Sequence, residues 1–343
     1  MKTVIFLGAG ASSGDGAPLQ GEIFSKYFGR QRGAGDLLEC DEDELLKEYF
    51  HEMFGLGSDE LDSDTTKFPT FEEAIGILDL AIMRDETFKG FNIHQIRLLR
   101  HSLVRLMMLV IKEELGNKPE NYHSRLVRNL VNGGKINETV FVSTNYDILI
   151  DNALDNLPGF ALDYGIDFIN MANRNCSRPN RSMPNEPIEL YKLHGSLNWL
   201  YCRTCNTIKL TSFQKAAARS LACDICDSKL STLVVPPTYF KSLTNAYLGM
   251  LWVKAEAALR KAQHLIFCGY SFPDADIHIK YLIKRVESHC EHDPLITVIN
   301  NHDGKTSESK QGEKNRFQRF LKRVNYTDVC FEEFASSPLD YWE

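Results

Sequence analysis

Four apolar residues, Val4-Ile-Phe-Leu7, run straight into Gly8-Ala-Gly-Ala-Ser-Ser-Gly14. A run of this kind that breaks into glycines predicts a buried strand feeding a nucleotide-binding loop. Gly8 and Gly10 have no Cβ, so the backbone can turn tightly there and approach a pyrophosphate closely, offering N–H groups and the Ser12 hydroxyl to its oxygens. The spacing is G-x-G-x-x-x-G, with Ser13 where the usual dinucleotide fingerprint has its third glycine. An ordinary strand-to-helix connection, whose glycines only relieve crowding, stays open at this point.

Composition narrows the class. With 343 residues the chain suits one large domain with insertions, or two domains. Its 43% hydrophobic and 25% charged content is that of a globular protein, and no stretch approaches the roughly 20 apolar residues of a membrane span. The apolar run at Thr3–Leu7 ends too soon for a signal peptide, so no membrane association or export is expected. A formal charge of -7 argues against a broad nucleic-acid footprint, and no direct sequence-specific nucleic-acid partner is expected. Nine cysteines, an odd total that includes two Cys-x-x-Cys pairs, suit a reducing compartment and a metal better than a disulfide framework. The cytoplasm is the expected location.

Strands ending in polar residues recur along the chain. Thr139–Ser143 leads into Thr144-Asn-Tyr-Asp147, Glu189–Leu193 into His194-Gly195-Ser196, His264–Cys268 into Gly269-Tyr-Ser271, and Leu295–Ile299 into Asn300-Asn301. Five or six such strands with helices between them predict a Rossmann-like α/β fold, a largely parallel sheet covered by helices on both faces. Ligands bind at the carboxyl ends of such strands, so Asn145 and Asp147 should face the same crevice as Gly8 and Gly10. Asp147 would equally serve as a helix N-cap, and the two roles can coexist. Gly195 beside His194 would let a substrate approach the backbone. Residues 156–188 are expected to be an irregular excursion.

Helical periodicity dominates 41–132, which predicts a helical insertion. One of its helices starts with the capping box Thr70-x-x-Glu73, and another runs from about His94 to Leu115. Cys202-x-x-Cys205 and Cys223-x-x-Cys226 predict a small ribbon in which four thiolates close a tetrahedral structural zinc site, with a redox dithiol as the alternative. Ser231–Val235 reads as a strand stopped by Pro236-Pro237, and Leu243 to Leu259 as a long helix. Phe317, Phe320, Leu321 and Val324 read as one terminal helix. The expected organisation is a nucleotide-binding core of 1–40, 133–201 and 232–304, the helical insertion 41–132, the ribbon 202–231 and a C-terminal helical extension 305–343.

The motifs, taken in order, resemble those of sirtuins. Gly8-Ala-Gly-Ala-Ser12 followed by Gly16-Ala-Pro18 resembles their GAG-x-S…GIP loop, Ser143-Thr-Asn-Tyr-Asp147 resembles TQNID, and Leu193-His-Gly195 resembles the catalytic LHG. The paired Cys-x-x-Cys ribbon follows the histidine as in sirtuins, Gly269-Tyr-Ser271 resembles their GTS turn, and Ile299-Asn300 their late nucleotide-binding IN. Two departures set the chain apart from sirtuin deacylases. Pro18 is followed by Leu19-Gln-Gly21 where they have Asp-Phe-Arg, and Val234-Val-Pro-Pro237 stands where their acyl-lysine channel would be. In those respects the chain looks more like bacterial sirtuin-like proteins of antiviral defence, which cleave NAD and work with translocase-type ATPase or argonaute-type partners.

The resemblance implies NAD as a substrate. Asn145 would orient the ribose or the attacking water, and His194 would act as general base, its ordinary pKa of about 6.5 lying near working pH. Asp147 would hold the ribose region and Gly8, Ala9, Gly10 and Ser12 the pyrophosphate, with Gly269, Ser271 and Asn300 completing the nucleotide site. With the acyl-lysine machinery altered, water is the simplest acceptor, which gives an NAD glycohydrolase that self-assembles as a homo-oligomer. The alternatives are a protein deacylase or ADP-ribosyltransferase and a non-catalytic NAD or ADP-ribose sensor.

Overall fold

The computed structural model describes residues 2–29, 38, 40–116, 121–170, 186–212, 221–235, 245–274, 276–289, 293–301 and 306–342. They form two compact units, one of residues 1–16, 117–235 and 243–343, the other of residues 17–116 with 236–242.

The first unit is built on a seven-stranded parallel sheet. Its strands are β1 (Thr3–Leu7), β2 (Thr139–Ser143), β3 (Leu162–Asp163), β4 (Ile188–Lys192), β8 (His264–Cys268), β9 (Leu295–Ile299) and β10 (Val324–Thr327), in the order β10-β9-β8-β1-β2-β4-β3. Every residue of β1, β2 and β8 is buried. Side chains of a strand point alternately to opposite faces, so both faces of the sheet centre are covered, as the unbroken apolar runs require. The first strand lies in the middle, with later strands laid down on both sides, so the direction of winding reverses beside β1. In open α/β sheets that reversal marks the ligand crevice.

Around the sheet lie α1 (Ala9–Ser13), α7 (Tyr122–Asn132), α8 (Leu149–Asp155), α9 (Ala246–Lys261), α10 (Ile277–His289), α11 (Ser307–Phe320) and α12 (Phe331–Ser336). A second, antiparallel sheet of β6 (Thr207–Leu210), β5 (Gly195–Cys202) and β7 (Ser231–Val234) carries the cysteine ribbon. It is rooted in the main core by Trp199, fully buried, with its ring edge-on to Tyr164 and Phe168 at 5.6 Å.

The other unit is helical: α2 (Ile23–Phe28), α3 (Cys40–Phe54), α4 (Ser58–Leu61), α5 (Phe71–Arg84) and α6 (Ile93–Leu115). The expected capping box forms, with the Thr70 hydroxyl accepting from the Glu73 N–H at 3.1 Å and the Glu73 carboxylate accepting from the Thr70 N–H at 2.7 Å. Phe24, Phe28, Phe50, Phe68 and Phe71 interlock at centroid distances of 4.8–6.3 Å to make its core.

Three sequence expectations change. The helical unit spans 17–116 rather than 41–132, because the apolar face of α7 (Leu126, Val127, Leu130) joins the sheet core. Residues 305–343 are not all helical: Leu321 adopts an extended conformation after donating the last bond of α11 to Phe317 O, and Val324 enters β10, parallel to β9. The excursion 156–188 contributes β3, which pairs with β4; its residues 171–185, like Pro236, Pro237 and Leu243, lie outside the described residues. Among the described residues no helix is long and apolar enough to cross a membrane.

His264, the first residue of β8, is fully buried with Nε2 2.8 Å from Thr297 Oγ1, and burial pushes its imidazole pKa down to about 4. Above about pH 6.5 the ring is neutral in both folded and unfolded chains. As pH falls from there to about 4, only the unfolded chain takes the proton, so stability is lost with a slope of at most about 1.4 kcal/mol per pH unit. Urea midpoints measured between pH 7 and 4.5 should fall more steeply for the native protein than for His264→Gln.

Candidate active site

The central strands stop on one rung. Leu7 is in register with Ser143 and Cys268, Ser143 with Lys192, and Cys268 with Ile299. The ladder then continues by one bond on each side: Thr144 N–H to Leu7 O (3.1 Å), Leu193 N–H to Ser143 O (2.9 Å), Gly8 N–H to Cys268 O (2.9 Å) and Gly269 N–H to Ile299 O (3.0 Å). Gly8, Thr144, Leu193, Gly269 and Asn300 therefore begin their loops side by side. Strands lie about 4.8 Å apart, so the loops of β1, β2 and β4 fall within about 10 Å of one another.

The glycines of the first loop meet protein. A Cβ on Gly8 would lie 2.7 Å from the Gly269 carbonyl oxygen, and one on Gly10 2.9 Å from the Gly269 Cα. Gly269 itself sits at φ +60°, where a side chain would lie 1.9 Å from the Ala11 nitrogen. Two main chains touch here, and the Gly10 N–H donates to Gly269 O at 2.8 Å. The amides of Gly8 and Gly10, expected to face a pyrophosphate, are thus engaged with the β8 loop. Ala9 is exposed and its N–H takes part in neither bond, and Ser12 is buried below it.

Asn145 bridges β2 to that loop. Its side chain is 8% exposed and its Nδ2 donates to Gly8 O at 2.9 Å and to Ser12 Oγ at 3.0 Å. Both amide protons are then used, and the carboxamide oxygen, which makes neither bond, is the acceptor the group retains. Asp147, 5% exposed, accepts the Leu149 N–H at 3.0 Å; the N-cap position of α8 is Ile148, so Asp147 stands one residue ahead of the N-cap that the sequence offered it.

His194 stands at the joint between the two sheets. It is 4% exposed, its ring lies 6.2 Å from that of Tyr146, and its carbonyl accepts the Val235 N–H at 2.8 Å. Gly195 follows at φ +78°, and a Cβ there would lie 2.1 Å from Leu233 O. On its Cβ side the close neighbour that Gly195 admits is thus the β7 backbone, a packing reason for the glycine that the sequence reading did not include. Tyr146 reaches the same place by donating from its hydroxyl to Val235 O at 2.7 Å.

The remaining predicted residues lie beyond β8 and β9. Ser271 is exposed, and its carbonyl accepts from Arg316 at 3.2 Å. Asn300 is buried and donates to Tyr270 O at 2.8 Å and to the Glu313 carboxylate at 2.7 Å, which also accepts from the Tyr326 hydroxyl at 2.8 Å. Asn300 thereby braces the Gly269 loop.

Motif reading missed two buried pairs near these loops. Asp15, just past α1, accepts the Tyr122 N–H at 3.0 Å and meets His123 Nδ1 at 2.9 Å, tying the first loop to α7. Lys192, the last residue of β4, pairs with Asp151 at 2.9 Å. Partners 108 and 41 residues apart leave no local pattern. The available signal was a lysine inside a strand otherwise flanked by apolar residues.

The ribbon gathers its cysteines as expected. The sulfurs of Cys202, Cys205, Cys223 and Cys226 all lie within 4.8 Å of one another, and all four are free thiols. Tetrahedral zinc with bonds of about 2.3 Å spaces its sulfurs about 3.8 Å apart, so the cluster has the dimensions and donor chemistry of such a site. A hydrogen bond from Ser228 pulls the Cys226 thiol down to about 6, whereas hydrogen bonding with Cys226 pushes Cys205 up to about 12.

A family model for the SIR2-like domain matches residues 139–326, more than half of the chain. Curated proteins yield no match. Similar solved structures include Sir2Tm bound to a propionylated peptide, with 15% identity over 99% of this chain and 92% of that one and a TM-score of 0.42. Others are a Sir2 homologue in complex with NAD (15%, 99% and 88%, TM-score 0.44) and a mutant Sir2 homologue in complex with ADP-ribose (15%, 99% and 91%, TM-score 0.43). With its parallel sheet, its motif-bearing strand ends and a cysteine ribbon set directly after His194, the chain belongs to the SIR2-like domain family.

Proposed function

We propose that the protein is an NAD glycohydrolase, which breaks the C1′–N bond of NAD with water to give ADP-ribose, nicotinamide and a proton. The observation that carries this reading is the junction of Asn145 with the first loop: a side chain that grips both Gly8 and Ser12 while keeping its carboxamide oxygen, one strand away from His194. Nicotinamide leaves a cationic ribosyl centre as a neutral molecule, so the transition state is oxocarbenium-like. The protein has mainly to position the ribose, supply a base and control water.

In this reading Asn145 Oδ1 orients the ribose or the water, and His194 accepts the proton as water attacks C1′. The Asp147 side chain holds the ribose region, with one oxygen occupied at α8. The Ala9 N–H and the Ser12 hydroxyl serve the pyrophosphate, and Gly8 and Gly10 shape the loop. Gly269, Ser271 and Asn300 form the adenosine side. One zinc held by the four cysteines supplies structural cross-linking rather than chemistry, since a four-thiolate shell leaves no open position.

Resemblance to bacterial sirtuin-like proteins further suggests an effector that depletes NAD in antiphage defence, acting as a homo-oligomer or with a translocase-type ATPase or argonaute-type protein. The test is product chromatography after incubation with NAD, alone and with such a partner. Free nicotinamide and ADP-ribose in equal amounts are expected. Cyclic ADP-ribose would replace water by a group of the substrate, acetyl-ADP-ribose formed only with acetyl-lysine peptide would make the protein a deacylase, and bound but intact NAD under every condition would make it a sensor.

A further inference from the structure

The Lys192 side chain is fully buried, and so is its partner Asp151, at 2% exposure. The ammonium donates to Asp151 Oδ2 at 2.9 Å and also to the main-chain carbonyl of Asp147. The other carboxylate oxygen of Asp151 accepts from the buried Tyr164 hydroxyl at 2.8 Å. Withdrawing an ammonium and a carboxylate from water costs several kcal/mol each, and a buried pair often stabilises a fold no better than apolar residues of the same size. A methionine would fill the lysine's volume. Stability alone is therefore a weak reason for a charge in this place.

Its position offers a stronger one. Lys192 sits two residues before His194 and is in register with Ser143, two residues before Asn145. Its ammonium grips the carbonyl of Asp147, two residues after Asn145. The loop 144–148 is thus held at one end by the β2 ladder and at the other by a side chain belonging to the strand that carries His194. We infer that Lys192, kept in place by Asp151 and Tyr164, is a positioning residue that sets the Asn145 arm against the His194 arm. Both arms are given work by the hydrolase reading above, on which the catalytic part of the inference rests.

The test compares the native chain with Lys192→Met/Asp151→Asn. The double variant removes both charges, leaves the Tyr164 hydroxyl an acceptor and deprives the Asp147 carbonyl of its donor. Misplacement of about 1 Å can cost on the order of 10²-fold in rate, so kcat should fall about 10- to 100-fold with KM for NAD changed less than about threefold. Amide exchange of residues 144–149, followed by mass spectrometry, should accelerate about tenfold or more while the strands stay protected. A folded variant with native kcat and native exchange in 144–149 overturns the inference. Should the double variant not fold, Tyr164→Phe, which removes only the outer hydrogen bond, is judged by the same two readouts. If the native protein leaves NAD intact, the hydrolase reading fails, and the exchange of 144–149 alone decides whether Lys192 positions the loop.

Discussion

If the protein is the hydrolase proposed above, replacing His194 by alanine should lower NAD cleavage by about 10²- to 10⁴-fold, the range for loss of a positioned base, and leave NAD affinity within about threefold. The side chain is buried at the joint of the two sheets, whereas the bond that closes β7 onto this residue uses its main-chain carbonyl and survives the substitution. Asn145→Ala should behave differently. Its amide holds Ser12 Oγ and one of the two bonds to the Gly8 carbonyl, which also accepts from Ala11. Removing it loosens the first loop at a cost of about 1 kcal/mol per bond and should raise KM as well as lower kcat. Nicotinamide release gives the rates, calorimetry the affinities, and thermal unfolding the integrity of each variant. A His194→Ala protein that is folded and cleaves NAD at the native rate removes histidine from the mechanism.

The second large effect concerns the ribbon. Purified protein should carry about one zinc per chain, and Cys202→Ser/Cys223→Ser should carry almost none, because a four-ligand structural site does not survive on two thiolates. In zinc-finger peptides such a metal supplies about 10–16 kcal/mol of binding free energy that is realised on folding. Here β5 and β7 are also held by Trp199 in the main core and by the bond from Val235 to His194. The loss should therefore concentrate beyond Trp199, as new proteolytic cuts within 203–230, a lower Tm and reduced turnover transmitted through His194. Metal analysis, limited proteolysis and the NAD assay read the three. Folded, active protein free of metal would make the four thiols a redox group or a bare cluster.

The strands were legible because they are buried on both faces, which forces uninterrupted apolar runs such as Val4–Leu7 and Leu265–Cys268. Their polar endings were equally plain. That all five endings fall on one rung was not, since register is created by pairing between segments well separated in sequence, such as Leu7 with Ser143 and with Cys268. Helical spacing misled at Phe317, Phe320, Leu321 and Val324: the first two close α11, and Leu321 then turns extended, a break that spacing cannot register. β5 was read as a stop because Gly195 and Ser196 look like loop residues, but the positive φ of Gly195 only bends the chain before pairing resumes. Gly8 and Gly10 carry a related ambiguity. A glycine signals close approach without naming the approaching group, which here is Gly269. The Lys192–Asp151 pair left only a faint signal, a lysine among apolar strand residues, which looks the same whether it faces water or the core.

The central place of the first strand sets the order in which the chain can assemble. Thr3 is matched with Thr139 on one side and with His264 on the other, about 260 residues further along. At about 5–20 residues per second, roughly 10–50 s of translation separate the synthesis of β1 from that of its second neighbour. Throughout that interval an apolar segment with unsatisfied backbone on at least one edge is open to the wrong strand. Non-local pairing of this kind makes folding slow, and it makes nascent chains that have not yet reached β8 the species most open to mispairing.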